Sequence, residues 1–414
     1  MSWPVVSLDS IKASVPYACV GGPFGSNLTS KHYVDEGVPV IRGQNLGGPG
    51  CFNETGFVFV TPEKADKLRP NLAFRGDLLF TQRGTLGQVG LIPQDSQYER
   101  YVVSQSQMKL TVDASRLDAR FVYQYFRLPS TIQEILNRTI TAGVPHINLG
   151  ILKAFEIPFP PLSIQRAIAE VAQTYDDLIA TNQRRIALLE DAARRLYREW
   201  FVHLRFPGHE SVLVKDGVPE GWAKLPLGDV AEITMGQSPE SKYYNTDGDG
   251  LPFHQGVSAF GHRFVKHETY TKLATRIGEA GDILCSVRAP VGRLNLTRDK
   301  IAIGRGLSAM RSRAGHQSLL FYQLDALFVE EDMIGGGAIF ASVGKKELFG
   351  QLVLQPCTNI AGTFNRLAAD LDAQIENLDS QNQELAKARD LLLPKLMSGQ
   401  LDVSGIRLPE EISA

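Results

Sequence analysis

The residues of this chain that could do chemistry are polar and basic side chains set beside turn glycines, and they fall into two series. In the first half these are Arg42-Gly43-Gln44-Asn45, Thr81-Gln82-Arg83-Gly84, Ser104-Gln105-Ser106-Gln107 and Pro145-His146-Ile147-Asn148. In the second half they are Gly236-Gln237-Ser238, His254-Gln255-Gly256, Ser286-Val287-Arg288, Gly304-Arg305-Gly306 and Lys345-Lys346. The chemistry they offer is recognition. An Arg presents two donors to the O6/N7 edge of guanine, and a Gln or Asn matches the edge of adenine. Lysines and turn amides suit phosphates. Taken singly, each is equally at home as a solvated turn residue. Together they nominate Arg42, Gln44, Asn45, Gln82, Arg83, Gln105, Gln107, His146, Asn148, Gln237, Ser238, His254, Gln255, Arg288, Arg305, Lys345 and Lys346 as candidates for contact with DNA.

Catalytic alternatives fail on residue type. Gly337 to Gly344-Lys345-Lys346 is too widely spaced for a phosphate loop, and a lysine stands where Mg²⁺ would need a hydroxyl. Pro158-Phe159-Pro160-Pro161 lacks the leading amide or carboxylate of an amino-methyltransferase loop and reads as punctuation before a helix. His254, His262 and His267 sit in no metal-ligand spacing, and no nucleophile elbow is present. The expectation is no catalytic residue and no metal site.

The elements that must position the candidates come in two copies. Trp3, Leu8 and Ile11 recur as Trp222, Leu227 and Val230. Gly76-Asp77-Leu78-Leu79 recurs as Gly281-Asp282-Ile283-Leu284, and Gly87 as Gly292. Gly143 and Gly150 match Gly337 and Gly344, and Pro161 matches Pro356. Each copy opens with short β-rich segments and turn glycines, such as Pro39–Arg42, Gly56–Val60, Asp77–Thr81 and Gln88–Ile92. Helical stretches interrupt them over Pro62–Leu68 and Ala119–Leu136.

Each copy ends in a long helix. With Ser163 as N-cap, Ile164, Ile168, Val171, Tyr175, Leu178 and Asn182 step by four and three. Ile186, Leu189, Ala193, Leu196 and Trp200 continue after one stutter, a seam about 60 Å long. The second seam runs Phe364, Leu367, Leu371, Ile375, Leu378, Asn382, Leu385, Leu392 and Leu396. One asparagine lies in each, and buried amides at such positions fix register, so Asn182 and Asn382 are assigned that role. The alternative is that each helix packs on its own globular domain. After Leu396 the tail is expected to return as an extended segment.

Composition sets the remaining bounds. At 414 residues, with 43% apolar and 21% charged residues, the chain is long enough for two well-buried domains. The four cysteines are scattered and form no disulfide or zinc pattern, which fits a reducing cytoplasm. No membrane span or export signal is visible. The net charge is −2, so a basic surface must be local: residues 1–155 hold 15 Lys+Arg against 12 Asp+Glu, while 210–355 hold 16 against 17.

Over nearly its full length the chain resembles the specificity subunits of type I restriction-modification systems. The resemblance rests on Gly236-Gln237-Ser238-Pro239 with Tyr244-Asn245, on Gly250-Leu251-Pro252-Phe253-His254-Gln255-Gly256 and on Ile303-Gly304-Arg305-Gly306-Leu307. It rests also on Pro160-Pro161-Leu162-Ser163-Ile164-Gln165 and Leu196-Tyr197-Arg198-Glu199-Trp200-Phe201-Val202. Arg389-Asp390-Leu391-Leu392-Leu393-Pro394-Lys395-Leu396-Met397-Ser398-Gly399 is the most specific of these signatures. The first copy departs, with Gly21-Gly22-Pro23-Phe24-Gly25-Ser26 where the second has Gln-Ser-Pro, so the two copies are expected to read different half-sites.

The resemblance implies an α+β fold: two β-rich α+β target recognition domains separated by two long helices that form an antiparallel coiled coil, a tandem pseudo-two-fold repeat. The expected division is 1–157 for the first recognition domain, 158–205 for the first conserved helix, 206–221 for a connector, 222–356 for the second domain, and 357–414 for the second helix and tail. The resemblance also implies a split, asymmetric site on double-stranded DNA, with the helices setting its unread spacer. The partners would be two copies of an N6-adenine methyltransferase subunit, and endonuclease/translocase subunits. S-adenosylmethionine, ATP and Mg²⁺ would sit on those partners and none on this chain, in a bacterial or archaeal cytoplasm. A DNA-targeting adaptor of a related phage-defence system, and a coiled-coil scaffold that never touches DNA, stay open as rivals.

Overall fold

A computed structural model describes residues 3–47, 50–141, 143–330 and 342–403. The chain divides into two compact units, residues 1–184 with 379–414, and residues 185–378. Each unit is α+β and contains a stretch of both long helices, Leu162–Tyr197 and Thr358–Met397. Among the described residues, no helix is long and apolar enough to cross a membrane.

In unit 1, Val5–Ser7 pairs antiparallel with Glu156–Pro158, the segment leading into the first long helix. One four-stranded antiparallel sheet runs in the order Cys19–Gly21, Gln107–Leu110, Leu78–Thr81, Val89–Leu91. A second runs Val58–Val60, Val38–Ile41, Arg100–Val103, Leu72–Phe74. Its two middle strands are parallel, with Ile41 opposite Val103. All four residues of Val38–Ile41 are buried, as the unbroken apolar run of a strand covered on both faces requires.

Unit 2 repeats this plan. Ala223–Pro226 pairs with Leu352–Gln355 ahead of the second long helix. Ala231–Met235, Leu307–Ser312, Ile283–Ser286 and Leu294–Leu296 form the four-stranded sheet. Leu251–His254 and Ile301–Ile303 make the parallel pair, with His254 opposite Ile303. The repeated Gly-Asp motif acts as a turn lock in both units. Gly76 and Gly281 take positive φ, Asp77 Oδ2 accepts the Phe74 amide at 2.8 Å, and Asp282 Oδ2 accepts the Glu279 amide at 2.8 Å. Buried Lys109 and half-exposed Arg311 supply the respective counter-charges.

The structure corrects several sequence expectations near the helices. The first long helix starts at Leu162, which leaves Ser163 inside its first turn and not at the cap. Gln165 does the tethering there: its side chain donates to the Pro160 and Arg116 carbonyls and accepts from the Asp118 amide. Helix Ala119–Leu136 is two helices, Ala119–Phe126 and Pro129–Asn137, because Pro129 forces Leu128 into extended backbone. Pro161 corresponds to Cys357 and not to Pro356, since the two accept equivalent first-turn amides, from Gln165 and Ala361. Asn148 and Gly344 are the equivalent N-caps in place of Gly150 and Gly344, while Gly337 lies outside the described residues. In the second helix the core position beside Phe364 is Ala368, fully buried, whereas Leu367 is exposed. The tail is described only to Val403, which packs on the unit 1 core.

The two readings of the long helices both hold in part. Within unit 1, Ile168, Ala172 and Tyr175 share one core with Leu393, Leu396, Phe121 and Phe155, so the helices bury against each other and against the sheet domain. Asp176 meets Arg389, and Asn182 donates to Gln381 Oε1 at 3.4 Å, an antiparallel register. Asn182 is thus paired with Gln381 and not with Asn382, whose Oδ1 is buried with no hydrogen-bond partner among the described residues. Within unit 2 the direction is the same: Tyr197 stacks edge-on to Phe364, and Arg263 bridges Glu190 to Asp372.

Asp176 is the polar tie of unit 1, accepting from Arg127 at 2.6 Å, from Arg389 and from Gln124. Burial pushes its carboxyl up, but the charge and hydrogen bonds of Arg127, with Gln124 and Arg389, outweigh it and hold the group below the ordinary value of 3.8. A depressed carboxylate contributes stability above its unfolded pKa and loses it as pH falls through the folded one. Asp176→Ala strands two half-buried guanidinium groups and is expected to lower stability by about 2 kcal/mol at neutral pH. Urea denaturation should show that gap narrowing as the pH drops below about 4.

Candidate nucleic-acid interface

The polar loops are gathered by backbone hydrogen bonds, and the gathering is the same in both units. The Ser104 amide donates to the Ile41 carbonyl at 3.1 Å, and the Gly304 amide to His254 at 2.8 Å. Gln82 donates to Ser106 at 2.7 Å, and Val287 to Gly306 at 2.9 Å. Ile147 then donates to Gln82 at 3.1 Å, and Val343 to Val287 at 2.9 Å. Arg83 bridges His146 exactly where Arg288 bridges Ser342 in the equivalent ladder. Four loops therefore meet at one end of each unit, and a fifth closes them through a glycine. A Cβ on Gly22 would lie 1.9 Å from the Ser104 carbonyl oxygen, and one on Gly236 2.1 Å from that of Gly304.

These bonds define equivalent positions. Arg42 corresponds to Gln255, Gln82 to Val287, Arg83 to Arg288, Gln105 to Arg305, and His146 to Ser342. Arg83, Gln105, Gln237, Gln255, Arg288 and Arg305 are exposed at the loop tips, and Gln82, His146 and Ser238 are half-buried beside them. Ser238 Oγ accepts the Arg305 amide at 3.1 Å, joining two candidates directly. Lys345 and Lys346 are exposed at the start of the helix that follows Ser342, with the Lys345 ammonium 5.1 Å above the Phe349 ring.

Other candidates are structural. Asn45 is fully buried: its Oδ1 accepts the Arg42 amide and its Nδ2 donates to the Asn53 and Thr55 carbonyls. Gln107 is buried against Ser104 Oγ. Asn148 caps the helix Leu149–Lys153 through the Ile151 amide. Arg42 and Gln44 both donate to the Gly56 carbonyl, which draws them toward the neighbouring loop. A short polar side chain beside a glycine is as useful for closing a turn as for meeting a ligand, which is why sequence alone mixes these two groups.

His254 is also interior, at 1% exposure. Its Nε2 lies 3.0 Å from His267 Nδ1, and His267 Nε2 lies 3.0 Å from Asp299. Among the described residues, no cluster of three or more His, Cys, Asp or Glu could hold a metal ion. Phe24 was not among the sequence candidates, yet it is the most exposed large apolar side chain described, at 84%, and stands two residues after Gly22 in the closing loop. Its only sequence signal is an aromatic residue flanked by Pro23 and Gly25.

Burial first, and the neighbouring His267 second, push the His254 pKa down from 6.5 to about 4. The folded state then binds this proton less readily than the unfolded state, so stability falls as pH drops from about 6.5 to about 4. His254→Gln is expected to flatten that part of the pH–stability profile of the intact chain. An unchanged slope in thermal unfolding would remove His254 as its source.

Comparison with known proteins agrees with this geometry. Residues 26–191 match the family described as the type I restriction modification DNA specificity domain. The chain is 28% identical over 390 residues to the putative type I restriction enzyme MjaX specificity subunit of Methanocaldococcus jannaschii, covering 91% of each chain. It is 23% identical over 351 residues to the MjaIX specificity subunit of the same organism, covering 80% of this chain and 78% of that one. Among solved structures it is similar in fold to the type I restriction-modification system S subunit from M. genitalium, with a TM-score of 0.58 at 17% identity over 96% of both chains.

Proposed function

The chain belongs to the type I restriction-modification DNA specificity family, and on that premise we propose that each of its units reads one half of a bipartite, asymmetric DNA site. The chain is the DNA specificity subunit of its complex and not the catalytic one. The observation that carries the two-half reading is the loop cluster, where one backbone frame is built twice and presents different side chains. Gln105 against Arg305, both exposed, exchanges the residue types suited to adenine and guanine at one matched place, and the exposed Gln255 stands where the first unit turns Arg42 onto the Gly56 carbonyl. Two readers of one frame and unlike side chains suit two unlike half-sites.

The long helices act as the ruler that sets the unread spacer. Methyltransferase subunits dock on the helices and recognition units, use S-adenosylmethionine and methylate adenine at N6. Endonuclease/translocase subunits supply ATP- and Mg²⁺-dependent cleavage. The family's known organisation supports these assignments.

The test is a map of methylated adenines in the host genome. A bipartite motif that vanishes when the chain is deleted supports the reading, and a methylome unchanged by deletion defeats it. Removing one heptad from each long helix shortens the pair by about 10 Å. The motif's spacer is then expected to contract by about three base pairs, at 3.4 Å each, with both half-sites kept. A scaffold that never touched DNA would leave every motif as it was.

A further inference from the structure

We propose that Arg83 and Arg288 are a matched pair of phosphate anchors, one in each unit, which fix the position of the loop cluster on the duplex without reading its bases. The proposal rests on the DNA-recognition reading above and assigns a division of labour within it. Of the positions that the shared hydrogen-bond frame makes equivalent, five pairs were named above, and four of these differ: Arg42 and Gln255, Gln82 and Val287, Gln105 and Arg305, His146 and Ser342. The fifth pair is arginine in both units. Gly22 and Gly236 are also kept, for the close backbone approach, whereas an exposed side chain kept in two readers that otherwise differ is suited to something both half-sites share. What every half-site shares is the sugar–phosphate backbone, while base edges carry the differences.

The local geometry fits an anchor. Each arginine follows the central strand of its four-stranded sheet, Leu78–Thr81 or Ile283–Ser286, whose residues are all buried. Its backbone is bridged to His146 or Ser342 across the cluster, so the Cα is held from both sides. Both side chains are exposed, and neither forms an ion pair among the described residues. A charge left unpaired on a rigid mount meets a phosphate at little ordering cost. Binding there releases condensed counterions, which gives the contact a measurable signature.

The experiment measures binding of the full chain, assembled with its methyltransferase subunits, to two duplexes across a series of salt concentrations. One duplex carries the mapped bipartite motif, and the other has one half-site scrambled. Arg83→Ala is expected to weaken both duplexes by the same factor, on the order of tenfold, and to reduce the slope of log K against log salt by about 1. Arg288→Ala should do the same when the second half-site is scrambled, and Arg83→Lys should restore the slope by keeping the charge. Gln105→Ala and Arg305→Ala should instead narrow the gap between cognate and scrambled duplexes. The assignment is overturned if Arg83→Ala narrows that gap, which would make it a base reader, or if the salt slope does not move. A wild-type complex that binds neither duplex defeats the recognition reading itself, an outcome distinct from either of these.

Discussion

The loop clusters depend on a contact that only a glycine permits. Gly22 and Gly236 lie so close to the Ser104 and Gly304 carbonyls that no side chain could stand there, and each donates its amide across the same gap, to Gln107 and Leu307 at 2.9 Å. That contact ties the closing loop to the turn that carries Gln105 or Arg305. The turn is in turn bonded to the end of the parallel strand pair, and the next loop is bonded to the turn. A chain of main-chain hydrogen bonds therefore sets where the tips stand, and the side chains at the tips are left free to differ. A frame made of backbone can be copied and its surface residues exchanged without rebuilding the core.

The two units attach the long helices by different chemistry. Unit 1 uses a carboxylate, Asp176, between the guanidinium groups of Arg127 and Arg389. Unit 2 inverts this with a buried Arg263 between Asp372 and Glu190, its guanidinium 4.1 Å above the Phe321 ring and sharing Asp372 with the Tyr322 hydroxyl. Apolar packing beside each tie is also unlike: Ile168, Ala172, Leu393 and Leu396 in one, Tyr197, Trp200, Phe201 and Phe364 in the other. Buried ion pairs tolerate few wrong partners, so unlike ties give each unit its own mate on the helices.

Much of this was legible in the residues. The α+β class, the two copies and the two long helices follow from turn glycines, repeated motifs and the apolar period, because those are local properties of the chain. The pairing of Arg83 with Arg288 was legible too, since each stands at the same distance after the repeated Gly-Asp. The sorting of candidates was not. Asn45, Gln107, Asn148 and His254 look like loop ligands in sequence, but hydrogen bonds turn Asn45, Gln107 and His254 inward and commit the exposed Asn148 to a helix cap. Nor could the apolar period distinguish Leu367 from Ala368 at the edge of a seam, because a neighbouring aromatic core decides which residue faces inward.

The sequence by itself therefore determined the kind of fold, its duplication and the class of its task, because hydrophobic period, turn chemistry and family signatures act over short stretches. Tertiary structure decided the equivalences that the repeated motifs leave open, such as Gln105 with Arg305, and which residues reach solvent. Those facts depend on hydrogen bonds between segments far apart in the chain, such as Gly304 to His254 or Ile147 to Gln82, and no local pattern encodes the partner at the far end.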